Sequence, residues 1–230
     1  MSAKTTPVMQ QHAEAKRAHP DAIVFFRLGD FYEMFGDDAI LVSRLLDLTL
    51  TSRNRGKPDE VPMAGVPHHS AHQYIARLLE LGHRVAICEQ MADPATVRGI
   101  VPRKVVRVIT PGTVTESGHL PVDSNNFLAG VELAESGTAL ALLDLSTGEL
   151  SVGQAADAAA LVALVGRARP REILIGGAGT ESEGAAALRR ALELLGCARV
   201  GDDPPLEAAD LEGALGTLAD EARELDETRL

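Results

Sequence analysis

The sequence predicts an α/β protein built from a mixed-sheet first domain, about residues 1–118, and a second α/β domain, about residues 119–230. Three observations predict it. Short β-branched and aromatic runs alternate with helix-period segments through the first half, the order in which a sheet is covered by helices. A polar stretch from Thr113 to Asn126, with Gly118 and Pro121, then breaks the alternation and reads as a linker. Beyond it, three strand-like runs joined by tight turns precede helix, strand, helix and strand.

Taken in order, Thr6-Pro7 reads as an N-cap with proline at the first helical position, opening a helix that ends by Ala18 before Pro20. Ala22 to Leu28 is a buried strand ended by Gly29-Asp30, and Phe31 and Glu33 leave its end as loop residues. Asp37 or Asp38 can cap a helix with Ile40, Leu41, Leu45, Leu46 and Leu48 inward. Leu48 to Arg53 reads as a strand, and Asn54 to Pro62 as a polar loop. Ser70 caps a helix with Tyr74, Ile75, Leu78, Leu79 and Leu81 inward, closed by Gly82. Arg84–Gln90 and Lys104–Thr110 are strands, the second broken by Pro111-Gly112.

In the second half, Phe127–Ala134, Thr138–Ser146 and Gly148–Val152 are strands of a meander. Ala155–Ala168 is a helix, Glu172–Ile175 a strand, Glu183–Leu195 a helix closed by Gly196, and Ala198–Val200 a short strand, with an acidic helical tail from Leu206 to Leu230. That order is RNase H-like, an analogy of fold alone.

Charge divides the chain as the linker does. Residues 1–118 carry 14 Lys and Arg against 13 Asp and Glu, and residues 119–230 carry 8 against 20, so the net charge of −11 belongs to the second half. A phosphate-contacting surface fits the first half, and a protein-contacting one the second. No apolar run approaches the roughly 20 residues of a membrane helix, and the first twenty residues hold no apolar signal core. Cys88 and Cys197 stand alone, which suggests neither a disulfide framework nor a zinc site and fits a reducing cytoplasm.

Five of the seven aromatic residues, Phe25, Phe26, Phe31, Tyr32 and Phe35, fall within eleven positions. If the backbone is extended there, Phe31 and Glu33 share one face and Tyr32 points to the other. A ring and a carboxylate presented together suit a reader of stacked bases: the ring wedges between base steps and the carboxyl bonds a base edge. The plainer reading is a half-buried strand end. None of the four lysines lies in a Gly-x-x-x-x-Gly-Lys-Ser/Thr setting, so no phosphate-binding loop is expected and no nucleotide hydrolysis. Gly177-Ala178-Gly179 mimics the start of a dinucleotide fingerprint, but Ser182 stands at its third glycine. His68, His69 and His72 with Glu60 form a conceivable metal cluster, and Asp144 with Glu149 a conceivable nuclease pair, although three convergent carboxylates are not evident. A metal-dependent nuclease and a pure protein-interaction module are therefore the alternatives to a DNA reader.

Four segments together resemble a known family. Gly29-Asp30-Phe31-Tyr32-Glu33-Met34-Phe35, Pro62-Met63-Ala64-Gly65-Val66-Pro67-His68-His69, Val85-Ala86-Ile87-Cys88-Glu89-Gln90 with Asp93-Pro94, and Arg103-Lys104-Val105-Val106-Arg107-Val108-Ile109-Thr110-Pro111-Gly112-Thr113 occur in the order found in the MutS family of DNA mismatch-repair proteins. The resemblance implies a mismatch-recognition domain followed by a connector domain of RNase H-like fold. It implies that Phe31 wedges at a mispaired base from the minor groove and Glu33 hydrogen-bonds that base, while Arg53, Arg103 and Lys104 hold the backbone and Met63 packs at the groove. It implies mismatched duplex DNA as ligand, further domains and a second subunit as partners, and MutL through the connector. ATP and Mg belong to a C-terminal part of the family with no counterpart in this sequence, so no cofactor is expected here, and the location is cytoplasmic, at the nucleoid if bacterial.

Overall fold

The computed structural model describes residues 6–92, 97–114, 125–134, 137–176, 183–195, 197 and 199–202. Over the first half the order is α1 (Pro7–Ala18), β1 (Ala22–Leu28), β2 (Phe31–Phe35), α2 (Asp37–Leu45), β3 (Thr51–Arg53), β4 (Val61–Pro67), α3 (Ala71–Glu80), β5 (Arg84–Gln90) and β6 (Arg103–Ile109). These strands form one sheet ordered β3-β4-β2-β1-β5-β6, mixed as expected: β1 and β5 run parallel and every other pair is antiparallel.

Strand β1 explains why its sequence is apolar without a break. Ile23 and Phe25 face α2 and α3, packing with Tyr32, Met34, Val42, Leu78 and Leu79, whereas Val24 and Phe26 face α1 with Phe35, Ala86 and Cys88. A strand covered on both faces loses its alternation. Helix α3 closes with a Schellman turn: His83 N donates to Leu78 O (3.0 Å), Gly82 N to Leu79 O (3.0 Å), and Gly82 takes a φ of +83° that suits glycine.

Several boundaries differ from the sequence reading. Phe31 and Glu33 lie on a strand, β2, and not on a loop. Thr6 occupies the N-cap position of α1, but its hydroxyl makes no cap bond. Helix α2 is not capped by Asp37 or Asp38; Gly36, at φ +60°, precedes it, and the Asp38 carboxylate turns inward to accept from Val24 N (3.0 Å) and Lys16 Nζ (2.8 Å). A buried carboxylate bound to a backbone amide and an ammonium outcompetes a solvent-side cap. Only Thr51–Arg53 of the expected Leu48–Arg53 strand pairs, and Leu81 is half exposed rather than inward. Strand β4 was unexpected: Pro62 read as the end of a loop, and residues 63–67 were assigned to no element.

In the second half β7 (Phe127–Ala134), β8 (Gly137–Asp144) and β9 (Glu149–Ala155) form the antiparallel meander, followed by α4 (Ala158–Ala168), β10 (Glu172–Gly176), α5 (Glu183–Glu193) and β11 (Arg199–Asp202). Sheet order β11-β10-β7-β8-β9, with β10 parallel to β7 and to β11, is the RNase H-like arrangement. Ala155 ends β9 instead of opening α4, whose N-cap is Asp157 accepting from Ala160 N (2.7 Å). Leu161, Val165, Leu188 and Leu192 of α4 and α5 pack on Val131, Ile173 and Ile175. Gly177-Ala178-Gly179, Ser182, Gly196, Ala198, Asp93-Pro94 and the tail from Leu206 lie outside the described residues, as do 115–124 of the expected linker.

The two sheets meet at a 3-10 turn, Pro111–Thr113. Thr110 and Thr113 form a reciprocal capping box, Gly112 N donates to the buried Glu172 carboxylate (3.0 Å), and Asn126 Nδ2 donates to the carbonyls of Gly112 (3.4 Å) and Val114 (3.3 Å). A Cβ on Gly112 would lie 2.7 Å from Glu172 Cβ and 2.9 Å from Leu128 Cδ1, so only glycine fits.

Candidate nucleic-acid interface

Register decides which candidate residues meet. Directly opposed residues of neighbouring strands share a face. Phe31 is opposite Leu28 and Pro67, Glu33 opposite Phe26 and Gly65, Phe35 opposite Met63, which is opposite Thr51, two residues before Arg53. On the far side Cys88 is opposite Val105 and Gln90 opposite Arg103. Phe31, Glu33, Met63, Arg53 and Arg103 therefore share one face, the face that α1 covers. Lys104, opposite Glu89, points to the other face and does not join them.

Along that face burial falls toward the end where Phe31 sits. Phe35 is 3% exposed, Glu33 partly buried and Phe31 47% exposed, an uncommon position for a phenylalanine that could have packed inward. Tyr32 between them is turned under the opposite face, its ring 5.6 Å from the Arg27 guanidinium and its hydroxyl donating to Glu89. Burial and the Glu89 carboxylate push the Tyr32 phenol up to about 12. This anchor fixes the backbone from which Phe31 and Glu33 project.

Glu33 is the electrostatic anomaly of the face. Its Oε2 is buried without a hydrogen-bond partner, and the Arg53 Nη1 stands 3.9 Å away. Burial raises the carboxyl above its usual range, with Arg53 opposing the rise. Arg53 lies 5.9 Å from the Phe35 ring centroid. Arg103 lies 5.3 Å over Phe26 and donates to the carbonyls of Arg27 (2.7 Å) and Val101 (2.9 Å). Its role here is to pin the β5–β6 connection to β1, with burial lowering its proton affinity.

The sequence reading missed Gly65 as part of the face. A Cβ there would make ordinary contacts, 3.4 Å from Tyr32 O, 3.6 Å from Glu33 Cγ and 3.9 Å from Phe31 Cδ1, so Glu33 and Phe31 both lie against β4 at this residue. Its setting between Pro62 and Pro67 was a signal of close backbone approach that the absent strand assignment hid. Of the other candidates, His68 and His69 stack edge to face at 6.1 Å while the Glu60 carboxylate accepts from Gly56 N (2.8 Å) in the β3–β4 loop. Among the described residues there is no group of three or more His, Cys, Asp or Glu side chains able to hold a metal. Asp144 accepts from Ser146 N (2.9 Å) and Oγ (2.6 Å), which lowers its pKa and ties it to the turn between β8 and β9. No helix among the described residues is long and apolar enough to cross a membrane.

Comparison with known proteins bears on the whole of both sheets. The family model for MutS domain I matches residues 6–118 and that for MutS domain II matches residues 126–211. A DNA mismatch repair protein MutS of Sorangium cellulosum (strain So ce56) is 55% identical over 227 residues, 94% of this chain and 24% of the relative. Proteins of the same description from Desulfatibacillum aliphaticivorans and Symbiobacterium thermophilum are 45% and 50% identical, over 92% and 75% of this chain and 23% and 20% of their own lengths. The chain thus spans about a quarter or less of the length of these relatives. With two successive domains of one family matched along a mixed sheet and an RNase H-like sheet, the chain belongs to the MutS family, of which it carries domains I and II.

Proposed function

We propose that this segment recognises mispaired or unpaired bases in duplex DNA, with Phe31 as a wedge entered from the minor groove and Glu33 as a hydrogen-bonding partner of the displaced base. The observation that carries the reading is the placement of an exposed phenylalanine beside a half-buried carboxylate on one rigid strand. Unstacking a base step costs a few kcal/mol and least where pairing is already faulty, so a wedge turns duplex weakness into preference. Ionised Glu33 repels the backbone of intact duplex and filters against it. Arg53 and Arg103 supply backbone contacts, Met63 packs at the groove, and Lys104, on the other face, reaches phosphate only around the sheet edge.

The first domain, about 1–118, does the recognising, and the acidic second domain, about 119–230, connects it to the rest of a larger assembly: further domains, a second subunit and MutL. ATP and Mg act, on this reading, in family regions beyond domains I and II. The test is binding of this chain at low salt to duplexes with and without a G·T pair or an unpaired T. Phe31→Ala should abolish the preference, and Glu33→Ala should raise binding to intact duplex. Equal binding of both duplexes by wild type and both variants, repeated in a full-length context, would refute the reading.

A further inference from the structure

The edge strands of the two sheets differ in how they are guarded. In the first sheet β3 is three residues long, and β6 carries Arg103, Lys104 and Arg107, with a register shift beside it between Ile87 and Cys88. In the second sheet β11 has four residues. Short length, cationic side chains and bulges all discourage a foreign strand from pairing. Strand β9, the remaining edge, has none of these. Its seven residues include no lysine, arginine or proline, six of them are exposed, and its register with β8 runs unbroken from Thr138–Ala155 to Asp144–Glu149.

The side chains of this edge are sorted by face. Leu150 and Val152 are 57% and 77% exposed and share a face with Leu143 and Ala141 of β8 and with Leu128 and Gly130 of β7. Helices α4 and α5 pack on the opposite face, against Ala129, Val131 and Leu140. Gly112 and the joint to the first sheet stand over Leu128, which leaves the β9 end of the face in water. Charge here has one sign: β7, β8 and β9 carry Glu132, Asp144 and Glu149 and no lysine or arginine. Glu149, opposite Asp144, lies on the face away from Leu150 and Val152.

We propose that β9 is an interaction edge that takes an extended segment of another protein as a sixth strand. The segment has period two, with apolar side chains beside Leu150 and Val152 and lysine or arginine on the face of Glu149. Main-chain hydrogen bonds to the open edge supply affinity, and the alternation supplies selectivity. A second copy of the chain fits worse, because residues 119–230 carry 8 basic against 20 acidic residues and like charges would meet. The inference rests on the connecting role proposed for the second domain, gives it a place, and does not need the first domain to read DNA.

The test is nitrogen-15 NMR of the whole chain, titrated with a synthetic peptide of alternating lysine and valine as long as β9, and with the same peptide carrying glutamate for lysine. The lysine peptide should shift amides of β9 and β8 and leave those of β6 and β11 in place, and the glutamate peptide should not bind. Val152→Lys puts a guarding charge on a side chain already in water. It should weaken binding about tenfold, the worth of one buried valine, with the melting temperature unchanged. Val152→Ile should keep the affinity, and Leu150→Lys should repeat the loss independently. Equal binding of the two peptides, shifts at another edge, or full affinity in both lysine variants overturns the proposal. So does self-association abolished by Val152→Lys, which would make a second copy the occupant. A silent β9 refutes the edge alone; the connecting role fails instead if full-length protein lacking residues 119–230 still assembles with its partners.

Discussion

Replacing Gly112 by alanine tests whether the two sheets are joined rigidly. Its φ is not in the left-handed region, so on a slack connection alanine would be harmless or stabilise by about 0.4–1 kcal/mol through the unfolded chain. The packed joint predicts the opposite sign. A new Cβ 2.7 Å from Glu172 Cβ and 2.9 Å from Leu128 Cδ1 cannot be absorbed by the tip of a flexible chain, because the nearer atom is at the root of the Glu172 side chain. Overpacking of that kind costs about 1–3 kcal/mol. Pushing the strands apart also lengthens the Gly112 N–H bond to a buried carboxylate, and charge-assisted bonds contribute about 1.5–3 kcal/mol. We expect a loss of about 3 kcal/mol in urea unfolding, followed by far-UV circular dichroism, with the two sheets no longer unfolding in one transition. A change under about 0.5 kcal/mol in either direction would refute a packed joint.

Four further outcomes follow from the geometry. Phe31→Ala should leave stability within about 0.5 kcal/mol while Phe35→Ala, on the same face but 3% exposed, costs about 3–5 kcal/mol, both read by urea unfolding. Asp38→Ala leaves the buried Val24 amide without its acceptor, Lys16 keeping its bond to the Ala22 carbonyl, and should cost about 1–3 kcal/mol in the same assay. His12 has a lowered pKa, so the unfolded chain binds more protons and stability should fall as pH drops below about 6.5; His12→Phe should flatten that part of a melting-temperature profile. Glu33 has a raised pKa, so the folded chain holds its proton more tightly and the ionised form costs stability above about pH 4.5; Glu33→Gln should melt higher at neutral pH and lose that advantage in acid.

Legibility in the sequence followed what each signal depends on. Helix α1, strand β1, the Gly82 stop and strand β5 were legible because local chemistry sets them. The pairing of Phe31 with Glu33 was legible too, since period-two alternation needs no tertiary partner. Strand β4 was hidden because its prolines sit where a neighbour has ended, Pro67 beyond the three paired residues of β3 and Pro62 past the end of β2, which are facts about the neighbours. The inward turn of Asp38 was hidden for the same reason, as its partners Lys16 and Val24 lie on other elements. Lys104 was grouped with Arg103 by the family resemblance, and one residue of register puts it on the other face.

The single parallel pairing in the first sheet has a consequence for how the chain reaches its native state. Ala22 is matched to Arg84 and Phe26 to Cys88, with β2, α2, β3, β4 and α3 all intervening, whereas β1 and β2 are joined by a two-residue turn. A short hairpin closes within microseconds, and a long loop must lose its entropy before its contacts are gained. The strand bearing Phe31 and Glu33 is thus in register early, presenting its apolar face to a core that is completed only when β5 docks. During synthesis that interval lasts until Gln90 and then β6 have emerged, and it is the stage at which an exposed aromatic cluster is most open to wrong association.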